Sequence, residues 1–303
     1  MSSHSFIYDS KNKNIFININ GDLYPRSEAK ISVFDSGFLL GDGVWEGIRL
    51  HKSKLMFIDE HLDRLFESAA GISLNIPYKR KKIIGEIHKV LLKNSMKNHV
   101  HIRLIISRGD KITPYQNPNA NIGPVNLVII PEYKKTDPKV YKKGITIGRV
   151  PVIRPSDNIL STHYNTLSKL NCILASIEAN KLGFDEGIMN DPNGNVSTCN
   201  STNLFFIKEN KVFTSKGEYC LNGITRGKAI KICQLNNIAV CEQDFIFDDM
   251  IDCNEAFVTG TFAGIIPVSK IEDRNLISTN SESLVNQIRF LYNKHIQENI
   301  DEK

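Results

Sequence analysis

The sequence predicts an α/β protein, with helices and strands mixed (α+β) and folded as two domains. Three observations carry that reading. Runs with strand patterning, such as His101–Ser107 and the continuous apolar Val125–Ile130, flank runs with apolar residues at helical spacing, such as Leu62, Leu65, Phe66 and Ala69. A chain of 303 residues is longer than one core usually organises. The composition also shifts at Pro131-Glu132-Tyr133-Lys134-Lys135-Thr136-Asp137-Pro138, a polar, proline-bounded run without periodicity. The division is a small N-terminal domain over 1–133, a linker over 134–143 and a larger C-terminal domain over 144–303.

In chain order, Ile15–Ile19 and Ile31–Phe34 are short strands joined through Asn20-Gly21, a hairpin-turn signal. Asp59 then caps a helix whose apolar face is Leu62, Leu65, Phe66 and Ala69, and a second helix follows around Lys82–Leu92. The strands His101–Ser107 and Val125–Ile130 complete the first half. The second half opens with a strand over Gly144–Val150 and a helix from about Leu167 to Lys181, with Leu170, Ile173, Leu174 and Ile177 on one face. A hairpin turns at Asp191-Pro192-Asn193-Gly194, and a strand runs over Asn203–Ile207. A helix starts after Ile224, and a last strand covers Ala256–Thr259.

Composition excludes several function classes. The net charge is only +5, and the basic runs Lys79-Arg80-Lys81-Lys82 and Lys142-Lys143 lack the interleaved aromatics of a nucleic-acid groove, so no nucleic-acid partner is expected. No apolar run approaches the ~20 residues of a membrane span, and Met1-Ser2-Ser3-His4 is too polar to begin a signal peptide, so a cytoplasmic protein is expected. The six cysteines lie in the second half without metal-like spacing, which suits reduced thiols and no metal.

Two motifs point to an anionic ligand. Leu221-Asn222-Gly223-Ile224-Thr225-Arg226 opens a helix with a glycine and a capping threonine, so backbone N–H groups and the positive end of the helix dipole face outward. Val258-Thr259-Gly260-Thr261-Phe262-Ala263-Gly264 places small and hydroxyl residues after a strand, where a backbone can approach a ligand closely.

The segments Phe34-Asp35-Ser36-Gly37-Phe38-Leu39-Leu40-Gly41-Asp42-Gly43-Val44-Trp45-Glu46-Gly47-Ile48-Arg49, His61-Leu62-Asp63-Arg64-Leu65, Gly183-Phe184-Asp185-Glu186-Gly187, Asn203-Leu204-Phe205, Gly223-Ile224-Thr225-Arg226 and Gly260-Thr261 share an order with a known family. The chain resembles class IV aminotransferases, the fold-type-IV pyridoxal-phosphate enzymes that include branched-chain and D-amino-acid aminotransferases and aminodeoxychorismate lyase. The resemblance implies a pyridoxal 5′-phosphate cofactor. It puts Arg64 at the phosphate-binding arginine, where a guanidinium holds a phosphate by paired charge-assisted hydrogen bonds. Gly223, Ile224, Thr225, Gly260 and Thr261 would complete the phosphate cup. Phe34, Trp45, Arg103, Phe262 and Ala263 would line the substrate side, although both Phe34 and Trp45 also suit a plain core. Amino acid and 2-oxo acid substrates and a homodimer are implied as well.

Two positions depart from the family. Aligned without gaps from Ala179 backwards through Ile177, Leu174, Leu170 and Leu167, the chain puts Asn165 where the family has its Schiff-base lysine. Lys169 lies four residues on. If the helix extends back to Asn165, the two side chains are about 40° apart, one turn apart on one surface. Lys169 is therefore expected as the catalytic amine and general base, either reaching from one turn away or through a shifted alignment. Thr198 stands at the glutamate that pairs with the pyridine nitrogen, and a hydroxyl supplies no charge there. The arginine and histidine that D-amino-acid aminotransferases carry after Ser107-Arg108-Gly109 are absent from Asp110-Lys111-Ile112-Thr113-Pro114-Tyr115-Gln116-Asn117. The expected activity is amino transfer between a small, apolar, branched-chain-type amino acid and a 2-oxo acid. The alternatives are a lyase on the same scaffold, or an altered member that holds a phosphorylated ligand without an imine.

Overall fold

The computed structural model describes residues 3–301, which separate into two compact units. The N-terminal unit comprises 7–135 together with 164–169; the C-terminal unit comprises the residues up to Phe6, 136–163 and the chain from Leu170 onward.

In the N-terminal unit β1 (Phe16–Ile19) and β2 (Asp22–Pro25) form the first hairpin. Asn20 and Gly21 both take positive φ, 55° and 97°, and pair Ile19 directly with Asp22. A two-residue turn of this kind joins the strands immediately beside it. The expected partner strand Ile31–Phe34 is therefore not formed; that stretch is a turn leading into the short helix α1 (Ser36–Leu40). Next come β3 (Gly43–His51), β4 (Lys54–Leu55), α2 (Ile58–Gly71), α3 (Arg80–Lys93), β5 (Val100–Ser107) and β6 (Asn126–Tyr133). Asp59 does not cap α2. The cap residue is Phe57, in the left-handed region with no side-chain bond, and Asp59 lies in the first helical turn. The six strands form an antiparallel sheet in the order β2-β1-β6-β5-β3-β4. Alternation gives it one core face, with Val44, Ile48, Ile102, Leu104 and Ile129 packed with Leu62, Leu65, Ile83 and Ile87 of α2 and α3. Trp45, Arg49, His101 and Arg103 stand on the other face.

The C-terminal unit runs α4 (Lys139–Lys143), β7 (Ile145–Arg149), α5 (Leu170–Lys181), β8 (Glu186–Asn190), β9 (Val196–Cys199), β10 (Asn203–Lys208) and β11 (Lys211–Thr214). It continues with α6 (Ile224–Leu235), β12 (Val240–Glu242), α7 (Phe247–Met250), β13 (Glu255–Gly260), β14 (Gly264–Ile271), β15 (Arg274–Asn275) and α8 (Leu284–Asp301). The sheet is mixed, in the order β9-β8-β7-β14-β13-β10-β11-β12, with β15 also on β14. The hairpin between β8 and β9 turns at the expected residues: Asp191 accepts from the backbone of Asn193 and Asn195, and Gly194 takes φ 89°.

Helix α5 differs from expectation in start and orientation. It begins at Leu170, so 164–169 is not helical. Its buried residues are Ala175 and Ala179, packed with Val150 and Met189, whereas Leu170 (66% exposed), Ile173, Leu174 and Ile177 (43% exposed) point away from the sheet. The reason is close approach. A Cβ on Gly187 of β8 would stand 3.2 Å from the Ala175 carbonyl, so only the small-residue side of the helix can lie against that strand.

Candidate active site

In the N-terminal unit the site is built around β3. Glu46, on its core face, is wholly buried and meets two side chains one turn apart on α2. Its carboxylate lies 2.6 Å from His61 Nδ1 and accepts Arg64 Nε and Nη2, each at 2.8 Å. Burial alone would raise the Glu46 pKa; hydrogen bonds and charge from His61 and Arg64 outweigh it and hold the carboxyl below its ordinary value.

Beside β3 runs the segment 164–169, bridging Val44 to Thr166. Asn165 and Trp45 exchange main-chain and amide bonds: Trp45 N donates to Asn165 O at 3.0 Å, and Asn165 Nδ2 to Trp45 O at 2.7 Å. Asn165 N donates to Ser68 Oγ at 2.9 Å, and Trp45 Nε1 to Thr166 O at 3.1 Å. Asn165 is 1% exposed, and its Oδ1 has no partner among the described residues. Lys169 Nζ lies 5.7 Å from the Trp45 ring centroid, and Arg103 Cζ 3.8 Å from it. The premise that Asn165 and Lys169 share a helical surface is thus overturned, because 164–169 is non-helical chain held to β3 by a bridge at Thr166 and the bonds of Asn165. What brings the two residues together is Trp45. Its main chain holds the amide and its ring faces the ammonium. The glycines before it follow from the same packing: a Cβ on Gly43 would press on Ile106 O and Leu167 Cδ1. Trp45 is half-buried, Phe34 is exposed, and neither belongs to the hydrophobic core.

In the C-terminal unit, Gly223 is the cap of α6 and, having no side chain, makes no cap bond to the helix's first N–H groups. Thr225, expected as the cap, is instead the second helical residue and is buried. A Cβ on Gly223 would overlap Asn203 Oδ1, and Asn203 Nδ2 bonds Leu221 O at 2.9 Å. Opposite Asn203 in register stands Thr259, whose Oγ1 is buried with no hydrogen-bond partner among the described residues. Gly260 pairs with Gly264, which takes φ 72° and closes a three-residue turn over Thr261, Phe262 and Ala263. The Phe262 and Ala263 side chains are buried in the unit's core, so only the turn backbone is left to meet a substrate.

Thr198 of β9 donates Oγ1 to Thr202 O at 2.8 Å, so its hydrogen is committed and its oxygen can only accept. Thr202 in turn donates to the buried Glu186 Oε2 at 2.6 Å. Burial pushes the Glu186 carboxyl above its ordinary value, against the hydrogen bond from Thr202. A raised native pKa means the folded state binds the proton more tightly. Its stabilising share is full below the unfolded carboxyl pKa of about 4.3 and is lost as pH rises through the native value. Glu186→Gln is therefore expected to flatten the decline of chemical-denaturation stability above pH 5. A decline as steep as in the unaltered protein would show that Glu186 is ionised throughout.

Sequence reasoning missed Glu46, His61, Glu186, Thr202, Asn203 and Thr259 as site residues. All stand within motifs of the sequence, Thr202 in the run Val196–Asn203, and periodicity does not reveal the neighbours they meet.

Toward a phosphate the residues fit: an uncapped helix start, a glycine that a side chain would block, and the buried, unpartnered Thr259 hydroxyl. Toward a cationic ring nitrogen Thr198 offers an acceptor without charge, and toward an aldehyde carbon the 164–169 segment offers one amine, Lys169.

A sequence profile of the family "Amino-transferase class IV" matches residues 43–271. The chain is 38% identical to Branched-chain-amino-acid aminotransferase-like protein 2 of Arabidopsis thaliana, over 84% of this chain and 46% of that protein. It is 34% identical to a putative branched-chain-amino-acid aminotransferase of Methanocaldococcus jannaschii, over 85% of this chain and 88% of that one. The chain thus spans about half the length of the Arabidopsis relative and most of the archaeal one. Among solved structures, the branched-chain amino acid aminotransferase of Escherichia coli superimposes with a TM-score of 0.84 at 26% identity, covering 91% of this chain and 93% of that one.

Proposed function

The chain belongs to the class IV aminotransferases, and from that premise we propose that it moves an amino group between an apolar, branched-chain-type amino acid and a 2-oxo acid with pyridoxal 5′-phosphate. The observation that carries the cofactor is the phosphate seat at the start of α6. Gly223, Ile224 and Thr225 would offer backbone N–H groups and a hydroxyl to the phosphate, Gly260 and Thr261 the turn beside them, and Arg64 a guanidinium. When bound, the cofactor supplies an electrophilic carbon for the amine and a ring that draws electrons from it.

Lys169 would be the amine that meets this carbon and the base that carries the substrate Cα proton on Nζ. The nearness of its ammonium to Trp45, whose main chain holds Asn165, supports that role. Trp45, Phe34 and Arg103, with the Phe262–Ala263 backbone, would shape the substrate side. Thr198 would accept from a protonated ring nitrogen without the electrostatic hold of a carboxylate. The test is titration of the protein with pyridoxal 5′-phosphate, followed by leucine or valine with 2-oxoglutarate. A visible band above 400 nm and formation of glutamate are expected; a bound cofactor without amino transfer would sink the proposal.

A second reading, a member that binds a phosphorylated ligand with no covalent attachment, is favoured by one observation. In the ungapped alignment Asn165 falls at the family lysine position, and it is an amide whose oxygen has no partner among the described residues.

A homodimer in the cytoplasm completes the proposal. No described helix is long and apolar enough to cross a membrane. The outward Leu170, Ile173, Leu174 and Ile177 face of α5 supports pairing with a second copy. Ile173→Asp is expected to shift the protein from dimer toward monomer in sedimentation velocity, since a charge cannot be buried there unpaired. An unchanged dimer would place the interface elsewhere.

A further inference from the structure

We propose that Asn165 is a positioning residue: it staples the segment 164–168 to the start of β3 and so fixes where the amine of Lys169 stands. The proposal rests on the reading of Lys169 as the reacting amine and adds what holds that amine in place. Lys169 is the last residue before α5, so the path of the chain behind it decides where its stem begins.

That path is tied down within the N-terminal unit. Asn165 makes the first ties: its Nδ2 donates to Trp45 O at 2.7 Å, its O accepts from Trp45 N at 3.0 Å, and its N donates to Ser68 Oγ of α2 at 2.9 Å. Asn165 is buried, so water cannot stand in for the amide. Beyond it, Leu167 N donates to Gly43 O at 2.9 Å and Ser168 Oγ to Gly41 O at 3.3 Å.

The glycines before and at the start of β3 belong to the same arrangement. A Cβ on Gly37 would come within 3.0 Å of Leu167 Cδ1, one on Gly43 within 2.7 Å of the same atom, and one on Gly41 within 3.1 Å of Ser168 Oγ. The three glycines thus leave a groove for the segment, and the Leu167 side chain fills it between Gly37 and Gly43. The glycine-rich motif is therefore spent on an approach by the chain's own backbone. Position matters because the amine must meet a carbon held by other contacts, and a shift of about 1 Å costs on the order of a hundredfold in rate.

Asn165→Ala tests the staple with three readouts. The single tryptophan, Trp45, reports the segment with no cofactor present, because its Nε1 donates to Thr166 O at 3.1 Å. Affinity for inorganic phosphate reports whether anion binding is intact. Borohydride reduction with pyridoxal 5′-phosphate, followed by mass spectrometry, gives the fraction of Lys169 that carries a pyridoxyl group. In Asn165→Ala the Trp45 emission is expected to move to the red. At the pyridoxal 5′-phosphate concentration that half-labels the unaltered protein, the labelled fraction should fall about tenfold or more, with phosphate affinity changed less than about twofold. Undiminished label, unchanged emission, or an equal fall in phosphate affinity overturns the staple.

If Asn165→Ala does not fold, Ser68→Ala decides. It removes the acceptor of the Asn165 N–H, and alanine is a good helix former in α2. The staple predicts the same loss of label with phosphate affinity kept, and undiminished label overturns it. Lys169→Ala separates the two levels. If label persists there, it sits on another lysine, and the role of Lys169 fails and the staple with it. If label is lost there but kept in Asn165→Ala, the staple alone fails.

Discussion

Replacing Lys169 by alanine is expected to abolish amino transfer, lowering kcat by at least the 10²–10⁴-fold typical of a lost general base. Treatment of the cofactor-loaded protein with borohydride should fix a pyridoxyl group on the peptide containing Lys169, and Lys169→Ala should remove both that label and the visible band. The expectation does not rest on helix geometry, because 164–169 is not helical and the helix starts at Leu170. It rests on chemistry and on Trp45. Asn165 has no amine, and the Lys169 ammonium lies 5.7 Å from the ring of the residue to which Asn165 is bonded. Mass spectrometry of the reduced, digested protein reads the answer directly. Label on another lysine would move the catalytic role, and no label with cofactor bound would favour the reading without covalent attachment. Phosphate-dependent binding should survive in Lys169→Ala, since a phosphate is bound through N–H donors and not through the amine that meets an aldehyde.

Arg64→Ala has the second large expected effect, and it acts on two quantities at once. Cofactor affinity should fall by about 2–5 kcal/mol, the scale of losing one partner of a partly buried, charge-assisted contact. Stability should fall too, by about 3–5 kcal/mol, because the wholly buried Glu46 keeps His61 but loses its guanidinium. The two readings are separable. Urea denaturation of the cofactor-free protein gives the stability loss, and titration well below the transition gives the affinity. A variant as stable as the unaltered protein would show that Glu46 is carried by His61 alone or takes up a proton.

Much of the fold was legible because local signals decided it. Asn20-Gly21 announced a hairpin, and Asp191-Pro192-Asn193-Gly194 announced another, since such turns depend on residues that tolerate positive φ or bond their own backbone. What was not legible depended on tertiary approach. The apolar stripe of α5 reads as a core face by spacing alone, yet Gly187 draws the alanine side inward and leaves the leucine and isoleucines out. The start of that helix was misplaced for a similar reason: bonds to the main chain of Trp45, 120 residues earlier, hold Asn165 outside the helix. The phosphate seat was visible because a glycine before an apolar-periodic run is a local signature, but its cap was assigned to Thr225 when Asn203 excludes any side chain at Gly223. Glu46 stood inside a quoted motif without a role, because its partners come from a helix whose docking the sequence does not state.

The short stretch 164–169 also has a bearing on how the chain is made. It belongs to the unit formed by 7–135, and without it Trp45 lacks the partners of its main-chain N–H and C=O. During synthesis the N-terminal unit therefore cannot be complete when Lys135 emerges. At about 5–20 residues per second, the missing segment follows several seconds later, behind β7 and the loop after it. In that interval Trp45 and its backbone are open to water or to wrong partners, and the closing contact spans a long separation in sequence, which slows folding. A ribosome pause before residue 169 would lengthen this exposure, whereas a pause after it would not. The same dependence means that cutting the chain between the units does not release an intact N-terminal half.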